Sequence, residues 1–161
     1  MTTHLTPHEL LQAQHLLQNY QPAQPALTTL TQTGGDLEIS FNQLWAAQTG
    51  QQTFSETQSI WQIAREEFRR ELCDDEGFRA KIQNYLKNPT DAAALTAAIL
   101  YIVELAALSA IVNPAIATVV VLYIAKVGLQ RLLQIHRPVR RQVRATAITN
   151  CPNHGEKLLR L

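Results

Sequence analysis

The sequence predicts an all-α fold: amphipathic helices at the amino terminus, then a long apolar helical hairpin, then a basic irregular tail. Three observations carry that prediction. Apolar residues recur at helical spacing, capping residues precede most of those runs, and no stretch sustains the period-two alternation of a half-buried strand.

Thr6, Pro7 and Glu9 open the first helix. Thr6 caps, Pro7 suits the first helical position, where no N–H is needed, and Glu9 completes a capping box with Leu5 and Leu10 as its hydrophobic staple. Leu10, Leu11, Leu16 and Leu17 carry the helix to about Tyr20, and Gln21–Pro25 breaks it as a short hinge. A short helix follows over 26–33. Gly34 and Gly35 then turn the chain, and Asp36 caps a helix with Leu37, Phe41, Leu44 and Trp45 at helical spacing, ended by Gly50. Ser55 and Gln58 form a second capping box for a helix to about Leu72, striped by Trp61, Ala64, Phe68 and Leu72. After an acidic turn at 74–77, a helix to about Lys87 carries Phe78, Ile82, Tyr85 and Leu86.

The apolar segment begins after Asn88, Pro89, Thr90 and Asp91, with Asn88 or Thr90 as its cap. From Ala92 to Val112 its one residue charged at neutral pH is Glu104. Asn113 and Pro114 turn the chain, and a second arm, apolar from Ala115 to Ala125, leads to Lys126 and an amphipathic end near Ile135. Residues 118–124 are β-branched enough for a strand, but the proline start and the continuation through Lys126 favour helix. The expected organisation is a helical interaction module over 1–50, a helical bundle over 51–135 that includes the hairpin 90–135, and a tail over 136–161.

With 161 residues the chain can bury a core without staples. Its two cysteines, Cys73 and Cys151, lie in unlike surroundings, which predicts reduced thiols and an intracellular protein, cytoplasmic or on the cytoplasmic face of a membrane. The amino terminus lacks the charged and apolar regions of a secretory signal. The net charge of +1 conceals a split: 1–130 holds seven basic against twelve acidic residues, or −5, and 131–161 holds seven against one, or +6. Arg131, Arg137, Arg140, Arg141 and Arg144 therefore form a candidate anionic-surface site.

The first arm of the hairpin is long enough to span the roughly 30 Å of a bilayer core, whereas the second offers only about 18 Å between Pro114 and Lys126. Glu104 weighs against insertion, at a cost of about 3 kcal/mol, unless Lys126 pairs with it across the hairpin. Basic residues flank the hairpin on both sides, as expected if both ends face the cytoplasm. The competing reading buries the same hairpin as the core of a soluble bundle.

Chemistry-bearing clusters are weak. His8 and His15 lack further ligands, Cys151 and His154 supply only half a zinc site, and the acidic run 74–76 has helix-start rather than calcium-loop spacing. No phosphate loop, nucleophile elbow or dinucleotide fingerprint occurs. The expectation is a protein that is not an enzyme and uses no cofactor or metal.

Residues 26–45, with their glycine loop, acidic cap and apolar ending, resemble the second and third helices of ubiquitin-associated-type modules. The resemblance covers about 20 residues and implies a small helical interaction module. The hydrophobic ubiquitin-binding loop has no counterpart in Gln21–Pro25, so ubiquitin binding is not implied. Leu37, Phe41 and Trp45 are the partner-binding candidates. The leading functional expectation is a membrane-associated adaptor or effector that binds a protein partner or itself. The first alternative is a soluble helical-bundle adaptor or homo-oligomer. The second is a phosphate-binding, nucleic-acid protein acting through the basic tail.

Overall fold

A computed structural model describes residues 4–50, 60–105 and 112–128. These residues form seven α-helices and no strand: α1 (Pro7–Leu16), α2 (Gln24–Gln32), α3 (Leu37–Thr49), α4 (Ile60–Asp74), α5 (Glu76–Lys87), α6 (Ala92–Leu105) and α7 (Pro114–Val127), with a 3-10 turn at Gln21–Ala23. The fold is all-α, as expected. The Ser55 and Gln58 capping box, the segment 106–111 and the basic residues from Arg131 onwards lie outside the described residues.

Helix starts follow local chemistry. The Thr6 hydroxyl accepts from the Glu9 N–H while the Glu9 carboxylate accepts from the Thr6 N–H, closing the capping box. Asp36 caps α3 through the Ile39 N–H, and Asn113 caps α7 through the Ile116 N–H, each at 2.9 Å. Gly50 ends α3 in a left-handed conformation at φ 72° that suits glycine.

Several boundaries differ from expectation. α1 stops at Leu16, and residues 17–19 turn rather than continuing the helix to Tyr20. The hinge at 21–25 is itself ordered: Pro25 falls in the first turn of α2, where its missing N–H breaks no bond. The acidic turn is a single residue, Asp75, which leaves α4 and caps α5 through the Phe78 N–H at 2.8 Å. Neither Asn88 nor Thr90 caps α6. Asp91 does, its Oδ1 accepting from Ala93 N–H at 2.9 Å and Ala94 N–H at 3.2 Å, while Asn88 closes α5.

One apolar core runs from Leu5 to Ile124. Its centre is α7, in which every residue from Ala115 to Ile124 is buried, because α2, α3, α5, α6 and the 3-10 turn all pack against it. An all-round apolar helix suits such an axial position, since no face meets water. The buried hydroxyls are satisfied: Thr118 donates to the Pro114 carbonyl at 2.7 Å, and Ser40 shares a 2.7 Å bond with Thr33. The amino-terminal segment lies across the α2–α3 loop, with Leu5 N–H donating to Gly35 O at 2.9 Å. Gly35 has φ 89°, and a Cβ there would stand 2.6 Å from Leu5 O, so both conformation and space require glycine.

No helix among the described residues is long and apolar enough to cross a membrane. α6 and α7 have 14 residues each, about 21 Å at helical rise.

Candidate functional site

The partner-binding candidates do not share one surface. Leu37 and Phe41 are fully buried, so the α3 stripe faces the core and neither side chain is open to a partner. Trp45 is half-buried and stacks on Phe41 with ring centroids 5.7 Å apart. Phe41 in turn meets Trp61 edge-on at 5.0 Å, and Trp61 meets Tyr123 at 4.7 Å, so an aromatic chain joins α3, α4 and α7. At its outer end, Trp61, Arg65 and Phe68 of α4 and Val120, Tyr123 and Ile124 of α7 line a shallow crevice. The sequence marked Trp61 and Phe68 as one stripe, but nothing in it placed Arg65 against α7.

The expected Glu104–Lys126 pair is not formed. Glu104 is exposed on the outer face of α6, in register with exposed Ala93 and Leu100, whereas the inner face carries Leu95, Ile99 and Ile102. The Lys126 ammonium instead donates to both carboxylate oxygens of Glu9, at 2.9 and 2.7 Å, tying the last turn of α7 to the first turn of α1. Burial alone pushes the Glu9 carboxyl up. The bonds from Lys126 and Thr6 outweigh it and hold the group below the usual carboxylate range.

A depressed carboxyl stabilises the fold above its unfolded value of 4.5, and that contribution disappears as pH falls through the lower folded value. Glu9→Gln is therefore expected to lower stability by about 1 kcal/mol at pH 7, a modest figure because the pair is partly exposed. Urea melts of both proteins at pH 7 and pH 3 check this: the gap narrows at the lower pH if the charge is responsible.

Asn113 serves two roles. Besides capping α7, its side-chain amide donates to Gln48 Oε1 at 3.1 Å, fastening the start of α7 to the end of α3. Pro114 occupies the first helical turn.

A second polar cluster joins α5 to α6. The Tyr101 hydroxyl donates to Asp75 Oδ1 at 3.0 Å, its ring stacks on Phe78 at 5.8 Å, and the Lys81 ammonium stands 5.3 Å from its ring centroid. The Asp75 hydrogen bond, followed by desolvation and the charges of Asp75 and Glu104, raises the Tyr101 hydroxyl above its ordinary value. A Cβ on Gly77 would lie 2.7 Å from that hydroxyl. Gly77→Ala should consequently cost about 1 kcal/mol despite alanine's higher helix propensity. Adding Tyr101→Phe should recover part of the loss, giving a non-additive cycle in thermal melts.

Among the described residues, no group of three or more His, Cys, Asp or Glu could hold a metal ion. No known protein family, curated protein or solved structure matches the chain.

Proposed function

We propose that the chain is a non-enzymatic helical interaction protein whose apolar pair, α6 and α7, is the core of a bundle and not a bilayer insert. One observation supports this most: the ten residues Ala115–Ile124 are buried without interruption by helices of the same chain. The apolarity that suggested a membrane is thus spent on internal packing, and insertion would first require the bundle to open. The stretch resembling a ubiquitin-associated-type module contributes α2 and α3, and in this reading a protein partner meets the outer surface around them rather than Leu37 or Phe41. The basic segment Arg131, Arg137, Arg140, Arg141 and Arg144 supplies a salt-sensitive contact with an anionic surface.

Membrane insertion is the second reading. What favours it is the outer face of α6, where Leu100 is 45% exposed beside Ala93 and Ala97. Flotation of the full chain with neutral and anionic vesicles, read together with amide exchange, separates the two. The bundle reading expects no flotation with neutral vesicles, salt-reversible flotation with anionic ones, and α7 amides that stay protected throughout. Salt-resistant flotation with loss of α7 protection would establish insertion instead.

A further inference from the structure

One face of α6 is apolar, open and left unused by the packing of the bundle. α6 packs against α5 and α7. Away from them Ala93 is exposed, Leu100 is 45% exposed, and Ala97 and Val103 are half-buried. Thr96 turns its hydroxyl back to the Ala92 carbonyl at 2.8 Å, so covering this face orphans no hydroxyl. Glu104 is the one charge on the face, and it makes no hydrogen bond or ion pair among the described residues.

The chain beyond α7 matches this face in pattern, reach and charge. Leu129, Leu132, Leu133 and His136 recur at helical spacing, with Gln130, Arg131, Gln134 and Arg137 between them. The face and the segment also start at the same end of the bundle, because α1 ties the two together. Its Glu9 holds Lys126 in the last turn of α7, and its Gln12, one turn on, donates to the Pro89 carbonyl just before α6 at 3.1 Å. Gly128 then takes the chain off α7 at φ 80°, a conformation open to glycine. From Ala93 to Glu104 the face runs ~17 Å; a helical 129–137 advances about 12 Å, and three extended residues add about 10 Å. Arg140 and Arg141 therefore reach Glu104 and supply the charge that complements it.

We propose that residues 129–141 lie along α6, with Leu129, Leu132 and Leu133 on Ala93, Ala97 and Leu100, and with Arg140 or Arg141 paired to Glu104. The contact is autoinhibitory. The same arginines cannot hold Glu104 and an anionic surface at once, so engaging such a surface uncovers Leu100. The proposal rests on the reading of α6 and α7 as the core of a bundle, and names what closes its open side.

The test uses the full ¹⁵N-labelled chain with Cys73→Ser and Cys151→Ser, carrying a nitroxide on Gln134→Cys, between the apolar positions of the segment. The expected result is paramagnetic loss of the Ala93, Ala97 and Leu100 amide signals while those of α3, which does not pack on α6, survive. Leu132→Ser with Leu133→Ser should restore the α6 signals without changing charge. Glu104→Arg should lower the ratio of docked to free segment roughly fivefold, as for one exposed pair, and adding Arg140→Glu and Arg141→Glu should recover it. Tripolyphosphate should restore the signals more than sodium chloride of equal ionic strength does. Unbroadened α6 signals, broadening that survives the serine pair, or charge reversal without effect would overturn the proposal. Broadening from a nitroxide on a separate, unlabelled copy would overturn it in favour of self-association, and Leu100 signals that respond only to neutral vesicles would do so in favour of lipid. Indifference to tripolyphosphate would overturn the autoinhibition. Amide exchange on the same sample reports separately on the bundle, so protected α7 amides with unbroadened α6 signals reject the tail contact alone.

Discussion

Val121→Asp is expected to leave the chain unfolded at 25 °C. Val121 has no exposed surface and lies midway along α7, with buried residues before and after it. A carboxylate there must either stay charged in an apolar core or take up a proton, and both are expensive. Together with the lost valine packing the cost is about 4–5 kcal/mol or more, comparable with the whole stability of many domains. Loss of far-UV helical signal and of the cooperative urea transition is the predicted readout. A surface or lipid-facing α7 would tolerate the change in solution, so retained cooperative folding would contradict the buried placement.

Phe41→Ala carries the next largest effect. Phe41 is fully buried between Trp45 and Trp61, so truncation removes its own burial, leaves a cavity and breaks two aromatic contacts. The expected loss is about 3–5 kcal/mol, seen as a lower urea midpoint and as red-shifted emission from Trp61 as water enters. Were Phe41 a docking residue on the surface, the same change would leave stability within about 0.5 kcal/mol.

These two residues mark where sequence reasoning succeeds and where it stops. The α3 stripe of Leu37, Phe41 and Trp45 was visible from helical spacing, but spacing states only that a face is apolar. Whether that face meets the chain's own core or another molecule depends on which helices pack beside it, and here α7 does. The cap residues Thr6 and Asp36 were legible because each bond closes within three residues, whereas Asn113, expected only to turn the chain, also caps α7. Asp91 was harder to single out, since Asn88 and Thr90 beside it are equally good caps by type.

Long-range polar contacts were the least accessible. Glu9 and Lys126 are separated by 117 positions, and Glu9 was already accounted for by its capping box. Glu104 offered a nearer partner on the assumption of a symmetrical hairpin. That assumption ignored the face on which Glu104 lies, which the buried positions Leu95, Ile99 and Ile102 place away from the core. The α4–α7 crevice depends on the same kind of information, because Trp61 and Arg65 acquire Val120 and Ile124 as neighbours only once the bundle is assembled.

Native-state amide hydrogen exchange tests whether α7 is the axis of the bundle. With α7 at the axis, the amides of Val119 to Ile124 exchange only through global unfolding, with an exchange free energy equal to that from urea denaturation and the largest in the molecule. Exchange of those amides through a low-energy local opening, while α3 and α5 remain protected, would contradict it.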